Sequence, residues 1–210
     1  MDFEYLILAI IVILVSVIIH EIMHGLVAYW LGDDTAAVNG RLSINPIKHI
    51  DPIMSIVVPL VLAISGGPIF GGAKPVPINP YNLKWKEWGM ALVAIAGPLT
   101  NFILAFIFFA IFAIFHSSLN ETVATFLILG FQINIGFCVF NLLPIPPLDG
   151  SRILYAIAPD GARRIIASME KYGLIIVFIL VIFFGAFLGQ IMIGAIEGLT
   201  NLFASFFGLW

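Results

Sequence analysis

Four long apolar runs, Phe3 to Leu31, Trp88 to Phe115, Thr122 to Leu143 and Tyr172 to Ile196, constrain this chain more than any other feature. A helix rises about 1.5 Å per residue and the hydrocarbon core of a bilayer is about 30 Å thick, so about 20 mainly apolar residues suffice to cross it. Each of the four runs qualifies. A fifth run, residues 53–64, has twelve residues with Pro59 inside it and reads as a re-entrant element or short fifth span. Composition agrees: 61% of residues are hydrophobic and 10% charged, against about 25% charged in a typical soluble domain. The expected fold is an all-α integral membrane protein of about four transmembrane helices, with residues 1–210 forming one membrane domain.

The polar segments add detail. Thr35 to Asn45 carries short alternating stretches around an Asn39-Gly40 turn signal, which predicts a small hairpin, a membrane-associated β element. The glycines and prolines of residues 66–77 exclude helix and predict an extended edge. All nine Lys and Arg residues fall in segments 32–52, 65–87 and 144–171. If 53–64 does not cross, these three segments share one side, and the positive-inside rule makes it cytoplasmic. Nine basic against twelve acidic residues give a net charge of −3. That provides no basic field for gripping nucleic acid and excludes such binding as a primary role. Cys138, the single cysteine, reads as a small core residue. The opening Met-Asp-Phe-Glu has no positive n-region, so the first run reads as a retained anchor.

The first run contains His20-Glu21-Ile22-Met23-His24. Residues at i and i+4 share a helix face, so both imidazoles can point at one ion with Glu21 beside them, the arrangement of a hydrolytic zinc site. Ionisable residues inside a span are expensive and usually functional. A catalytic zinc needs a third protein ligand, for which Asp149 is the best candidate. It ends the run Asn141-Leu142-Leu143-Pro144-Ile145-Pro146-Pro147-Leu148-Asp149-Gly150, whose prolines break the helix where only buried or cavity-lining backbone is tolerated. Asp149 could also cap the following helix, and Asn141 could satisfy helix-end carbonyls. Asn101, four residues after Gly97, could make an interhelical hydrogen bond beside a close packing contact.

These motifs resemble the site-2 proteases, the intramembrane zinc metalloproteases of peptidase family M50. The resemblance rests on His20-Glu21-x-x-His24, on Ala96-Gly97-Pro98-Leu99-Thr100-Asn101 and on Asn141-x-x-Pro144-x-Pro146-Pro147-Leu148-Asp149-Gly150, and it covers about residues 15–155. Residues 71–80 also resemble the stretch carried by compact members without PDZ or CBS domains. The resemblance implies that His20, His24 and Asp149 bind one Zn2+ per chain, that Glu21 is the general base, and that Asn141 holds substrate or oxyanion. The expected partners are the lipid bilayer and a transmembrane protein substrate that unwinds to pair with the extended stretch, with Gly72, Ala73, Val76 and Asn101 as candidate contacts. The expected location is the cell membrane, with the site inside the bilayer toward the cytoplasm. The competing reading is a metal-binding membrane protein or transporter using His20, His24 and Asp149 as a transit site. Glu21 argues against it, because transit needs no base.

Overall fold

A computed structural model of the chain describes residues 3–52 and 72–208. Its α-helices among the described residues are α1 (Phe3–Trp30), α2 (Thr35–Val38), α3 (Lys86–Phe115), α4 (Glu121–Asn141), α5 (Asp149–Ile157), α6 (Asp160–Glu170) and α7 (Gly173–Phe206). The four long helices α1, α3, α4 and α7 are apolar and long enough to cross a membrane. They correspond to the four expected runs. The sharpest difference is α7, which continues ten residues beyond Ile196. Glu197 marks a drop in hydropathy, but the residues 197–201 include no proline and the single Gly198 costs only about 1 kcal/mol, so apolarity and helicity end at different places. The run 53–64 lies outside the described residues.

Contacts between helices fix their directions. Glu4 at the start of α1 accepts a hydrogen bond from Thr122 at the start of α4 (2.5 Å), and Ser16 accepts one from Asn134 (2.9 Å). Both pairs are separated by the same 118 residues, so α1 and α4 run parallel and in register. Against α1, helix α3 pairs Val93 with His24 and Asn101 with His20, an ascending number against a descending one, and is therefore antiparallel. At the end remote from these histidines, Phe109 and Phe131 pack with Phe203 of α7 around Ala105, Ala113 and Ile135. Their rings meet edge to face or tilted, with centroids 5.2–6.0 Å apart, the geometry that ring quadrupoles favour. This cluster ties α7 to α3 and α4, while Ile175, Ile179, Phe183 and Phe187 remain exposed, as a lipid-facing helix requires.

The expected β element is absent among the described residues. Residues 35–38 form the short helix α2, because Asp33 turns back to accept hydrogen bonds from the Thr35 amide and hydroxyl. The Asn39-Gly40 turn follows this helix rather than joining two strands, and Gly40 takes the positive φ of 62° that the turn requires. Residues 72–79 are neither helix nor strand. The rest of the expected extended stretch, 66–71, lies outside the described residues.

Candidate metal centre

Three elements bring the metal-binding candidates together. His20 and His24 lie one turn apart on α1, both buried. Helix α4 ends at Asn141, and the proline-broken turn after it delivers Asp149 as the first residue of α5. Leu148 takes the N-cap position and the Asp149 carboxylate makes no capping bond, so it is free to face the histidines. Gly150 permits this turn: a Cβ there would stand 2.2 Å from the Leu142 carbonyl oxygen.

The ligand atoms converge. His20 Nε2 and His24 Nε2 are 2.9 Å apart, and each lies 3.2 Å from Asp149 Oδ2. A tetrahedral zinc with ligands at about 2.0–2.1 Å would place them about 3.3 Å from one another. Protonation states sharpen the fit. His24 Nδ1 sits 2.7 Å from the Val93 carbonyl oxygen, which can only accept, so Nδ1 carries the hydrogen and Nε2 the lone pair. His20 Nδ1 likewise faces Asn101 Oδ1 at 2.5 Å. Asp149 Oδ2 is buried with no donor among the described residues. Three electron-rich atoms in mutual contact repel one another unless a cation lies between them. Gly97 provides the space, because a Cβ there would stand 2.5 Å from His20 and His24 ring atoms. The chain's donor set therefore fits a zinc ion, with both histidines held from behind as metal-binding imidazoles usually are.

A cavity of about 640 Å³ opens beside the triad. Glu21, Val76, Phe140, Asn141 and Val177 are in its wall, and it extends to Arg152 and Lys171. Gly72 and Ala73 line it as well, so three of the four expected substrate contacts share one space with Glu21. Asn101 does not join them: it is fully buried, accepts from His20 and donates to Asn134 Oδ1 at 2.8 Å. Asn141 reaches the cavity while its Nδ2 donates to Phe137 O at 3.0 Å, so one of its two amide hydrogens serves its own helix.

Polar groups of α1 and of the segment that follows it hold residues 74–82 at successive points. Glu21 Oε2 accepts the Val76 amide at 2.8 Å. Asp33, fully buried, accepts the Asn79 amide at 2.7 Å and Asn82 Nδ2 at 3.1 Å. Burial opposes the charge on Asp33, but hydrogen bonds from Thr35, Asn79 and Asn82 outweigh it and hold this carboxyl below the usual carboxylate range. Lys74 donates its amide to His49 O at 2.9 Å, and its carbonyl accepts from Arg41 Nη2 at 2.6 Å. Pro75 and Pro77 have no N–H. Every backbone donor from Lys74 to Pro77 is thus used or missing, so this strip cannot present the free donors expected of a strand edge.

Sequence reasoning passed over Ser16, Asp33, Asn134 and the Val93 carbonyl. Asn134 was the findable one: an amide in the middle of an apolar span needs a partner, and polar residues there are rarely idle.

Known proteins resemble the chain over most of its length. The Bacillus subtilis protein "Putative zinc metalloprotease YwhC" is 40% identical over 178 residues, 81% of this chain and 78% of that one. Rip2 of Mycobacterium tuberculosis, which carries the same description, is 31% identical over 193 residues, 90% of this chain and 71% of its own. Rip2 of Mycolicibacterium smegmatis is 31% identical over 174 residues, 80% and 64% of the two chains. No solved structure matches. The family model "Peptidase family M50" matches residues 113–185, which include Asn141 and Asp149. With the relatives extending the likeness across most of both chains, the protein belongs to peptidase family M50.

Proposed function

We propose that this chain is an intramembrane zinc metalloprotease that hydrolyses peptide bonds in or beside transmembrane segments of membrane proteins. The observation that carries this reading is the convergence of His20 Nε2, His24 Nε2 and Asp149 Oδ2 at 2.9–3.2 Å, beside a cavity that Glu21 also lines. Zinc bound by this triad supplies an acidified water and a positive charge that polarises a peptide carbonyl. The chain's own residues do the rest. Glu21 accepts the proton released during attack and returns it to the leaving amine. Asn141, with one amide hydrogen still unassigned, donates to the carbonyl oxygen as charge develops on it. A metal transit site would make no use of Glu21, and we set that reading aside. The direct test is cleavage of a single-span substrate in liposomes with and without a zinc chelator; uncleaved substrate with fully zinc-loaded protein would defeat the proposal.

The site belongs to the cytoplasmic half of the bilayer on two grounds. His20 lies seventeen residues from Phe3, about 26 Å along α1, and Gly97 lies eleven residues from Lys86, about 17 Å along α3. The basic residues gather at the ends of these helices nearer the triad. Accessibility tags at residues 45, 80 and 160 should report from the cytoplasm and a tag at 118 from outside. External labelling at residue 80 with cytoplasmic labelling at 45 would mean that 53–64 crosses the membrane and that the Asn79–Asp33 and Lys74–His49 contacts do not form.

The 72–79 strip has two tasks in this proposal. The Val76 amide orients Glu21 through Oε2. A locally unwound substrate then meets residues 74–77 with their donors spent, so the carbonyls still open there accept the substrate's N–H groups, a one-sided form of strand addition. Val76→Pro removes the N–H that holds Glu21. Because misplacing a catalytic group by about 1 Å can cost on the order of 10²-fold, cleavage should fall by that order with one zinc per chain retained. Unchanged cleavage would remove Val76 from the site.

A further inference from the structure

A chain of buried amides runs from the metal centre through three helices, and its polarity can be read from one end. Asn134 Nδ2 donates to the Gly130 carbonyl oxygen at 2.8 Å and to Ser16 Oγ at 2.9 Å. The Gly130 carbonyl can only accept, so the Asn134 amide cannot be turned over without setting two oxygens against each other. Its Oδ1 must therefore face Asn101, whose Nδ2 donates to it at 2.8 Å. That leaves Asn101 Oδ1 toward His20 Nδ1. Ser16, Asn101 and Asn134 are each at most 1% exposed, so water cannot substitute for any link.

We propose that Asn134 is a positioning residue for the metal centre: anchored by the Gly130 carbonyl, it orients the Asn101 amide and so keeps the His20 proton on Nδ1 and the lone pair on Nε2. His24 needs no such relay, because the Val93 carbonyl fixes it directly. His20 is the vulnerable ligand, since the group behind it is an amide that presents a donor or an acceptor according to which way it is turned. Without Asn134, Asn101 can turn its NH2 toward His20, and the ring proton then moves to Nε2, where it blocks metal binding. This inference rests on His20 being a zinc ligand, but its first readout needs neither zinc nor substrate.

The chain has four histidines, so the imidazoles of metal-free, 15N-histidine-labelled protein in detergent micelles can be assigned individually. The wild type should show a protonated, slowly exchanging Nδ1 on His20. Asn134→Leu, similar in size, should lose that signal and bind zinc about 10–100-fold more weakly, the usual cost of removing support behind a metal-binding histidine. His49 and His116 should keep their signals as markers of an intact fold. Adding Asn101→Asp to Asn134→Leu should restore both the His20 signal and zinc affinity, because a carboxylate offers an acceptor whichever way it is turned. If Asn134→Leu does not fold, Asn134→Ala takes its place with the same expectations. An unprotonated His20 Nδ1 in the wild type, or an unchanged signal and affinity in the single variant, would overturn the proposal. So would failure of the double variant to recover with the His49 and His116 signals intact. A variant series that behaves as expected in signal and zinc affinity while wild type cleaves nothing would refute only the protease reading.

Discussion

Glu21→Gln is expected to retain one zinc per chain and to lose peptide cleavage by about 10²–10⁴-fold, the contribution of a positioned general base. The change is well matched to the site. A glutamine has the same shape and still offers an oxygen to the Val76 amide, which Glu21 Oε2 accepts at 2.8 Å, so the 72–79 strip stays in place. None of the converging atoms, His20 Nε2, His24 Nε2 and Asp149 Oδ2, is altered. Only the capacity to take a proton is removed. Zinc content measured on purified protein and cleavage of a single-span substrate separate the two roles. Loss of zinc would make Glu21 part of the metal's support, and undiminished cleavage would move the base elsewhere. Asp149→Ala should behave oppositely, losing zinc and activity together, because it removes one of the three proposed ligand atoms.

The contrast between these variants shows which parts of the site were legible in the sequence. His20, Glu21 and His24 are fixed by helical periodicity alone, and the prolines before Asp149 announce a broken helix at membrane depth. The four apolar helices are equally plain, since hydropathy and length decide them. Legibility failed where partners come from distant segments. Asp33 reads as an ordinary loop acid, yet it gathers Thr35, Asn79 and Asn82 and makes helix α2 where a hairpin was expected. Asn101 reads both as a substrate contact and as an interhelical hydrogen bond; the second holds, but its partner Asn134, 33 residues away on another helix, cannot be read from local spacing. The stretch up to Pro77 reads as an extended edge; Glu21 and His49, both remote in sequence, take the amide donors of Val76 and Lys74 there. Periodicity reports which face a residue occupies, and the spending of its hydrogen bonds depends on tertiary neighbours.

Gly97→Ala should weaken zinc binding by about 5–150-fold, and lower cleavage with it, although it adds only one methyl group. By local propensity the change is favourable, since alanine in a helix interior is preferred over glycine by about 1 kcal/mol. Geometry decides against it. The added Cβ would stand 2.5 Å from His20 Cε1, His20 Nε2 and His24 Nε2. Neither ring can step back: His24 is tied at Nδ1 to the Val93 carbonyl and His20 to Asn101. Helix α3 cannot step back either, because Val93, Ala94, Ala96 and Pro98 around Gly97 are all buried against neighbours. Overpacking of this kind typically costs about 1–3 kcal/mol, and here the strain falls on the atoms that must hold the ion. Gly189→Ala is the control, because a Cβ there meets nothing within 4 Å; it gains the same helical preference and should keep its zinc. Zinc titration of the two variants beside wild type makes the comparison. Wild-type zinc affinity in Gly97→Ala would mean that α3 does not approach His20 and His24 closely enough for a Cβ at Gly97 to disturb them.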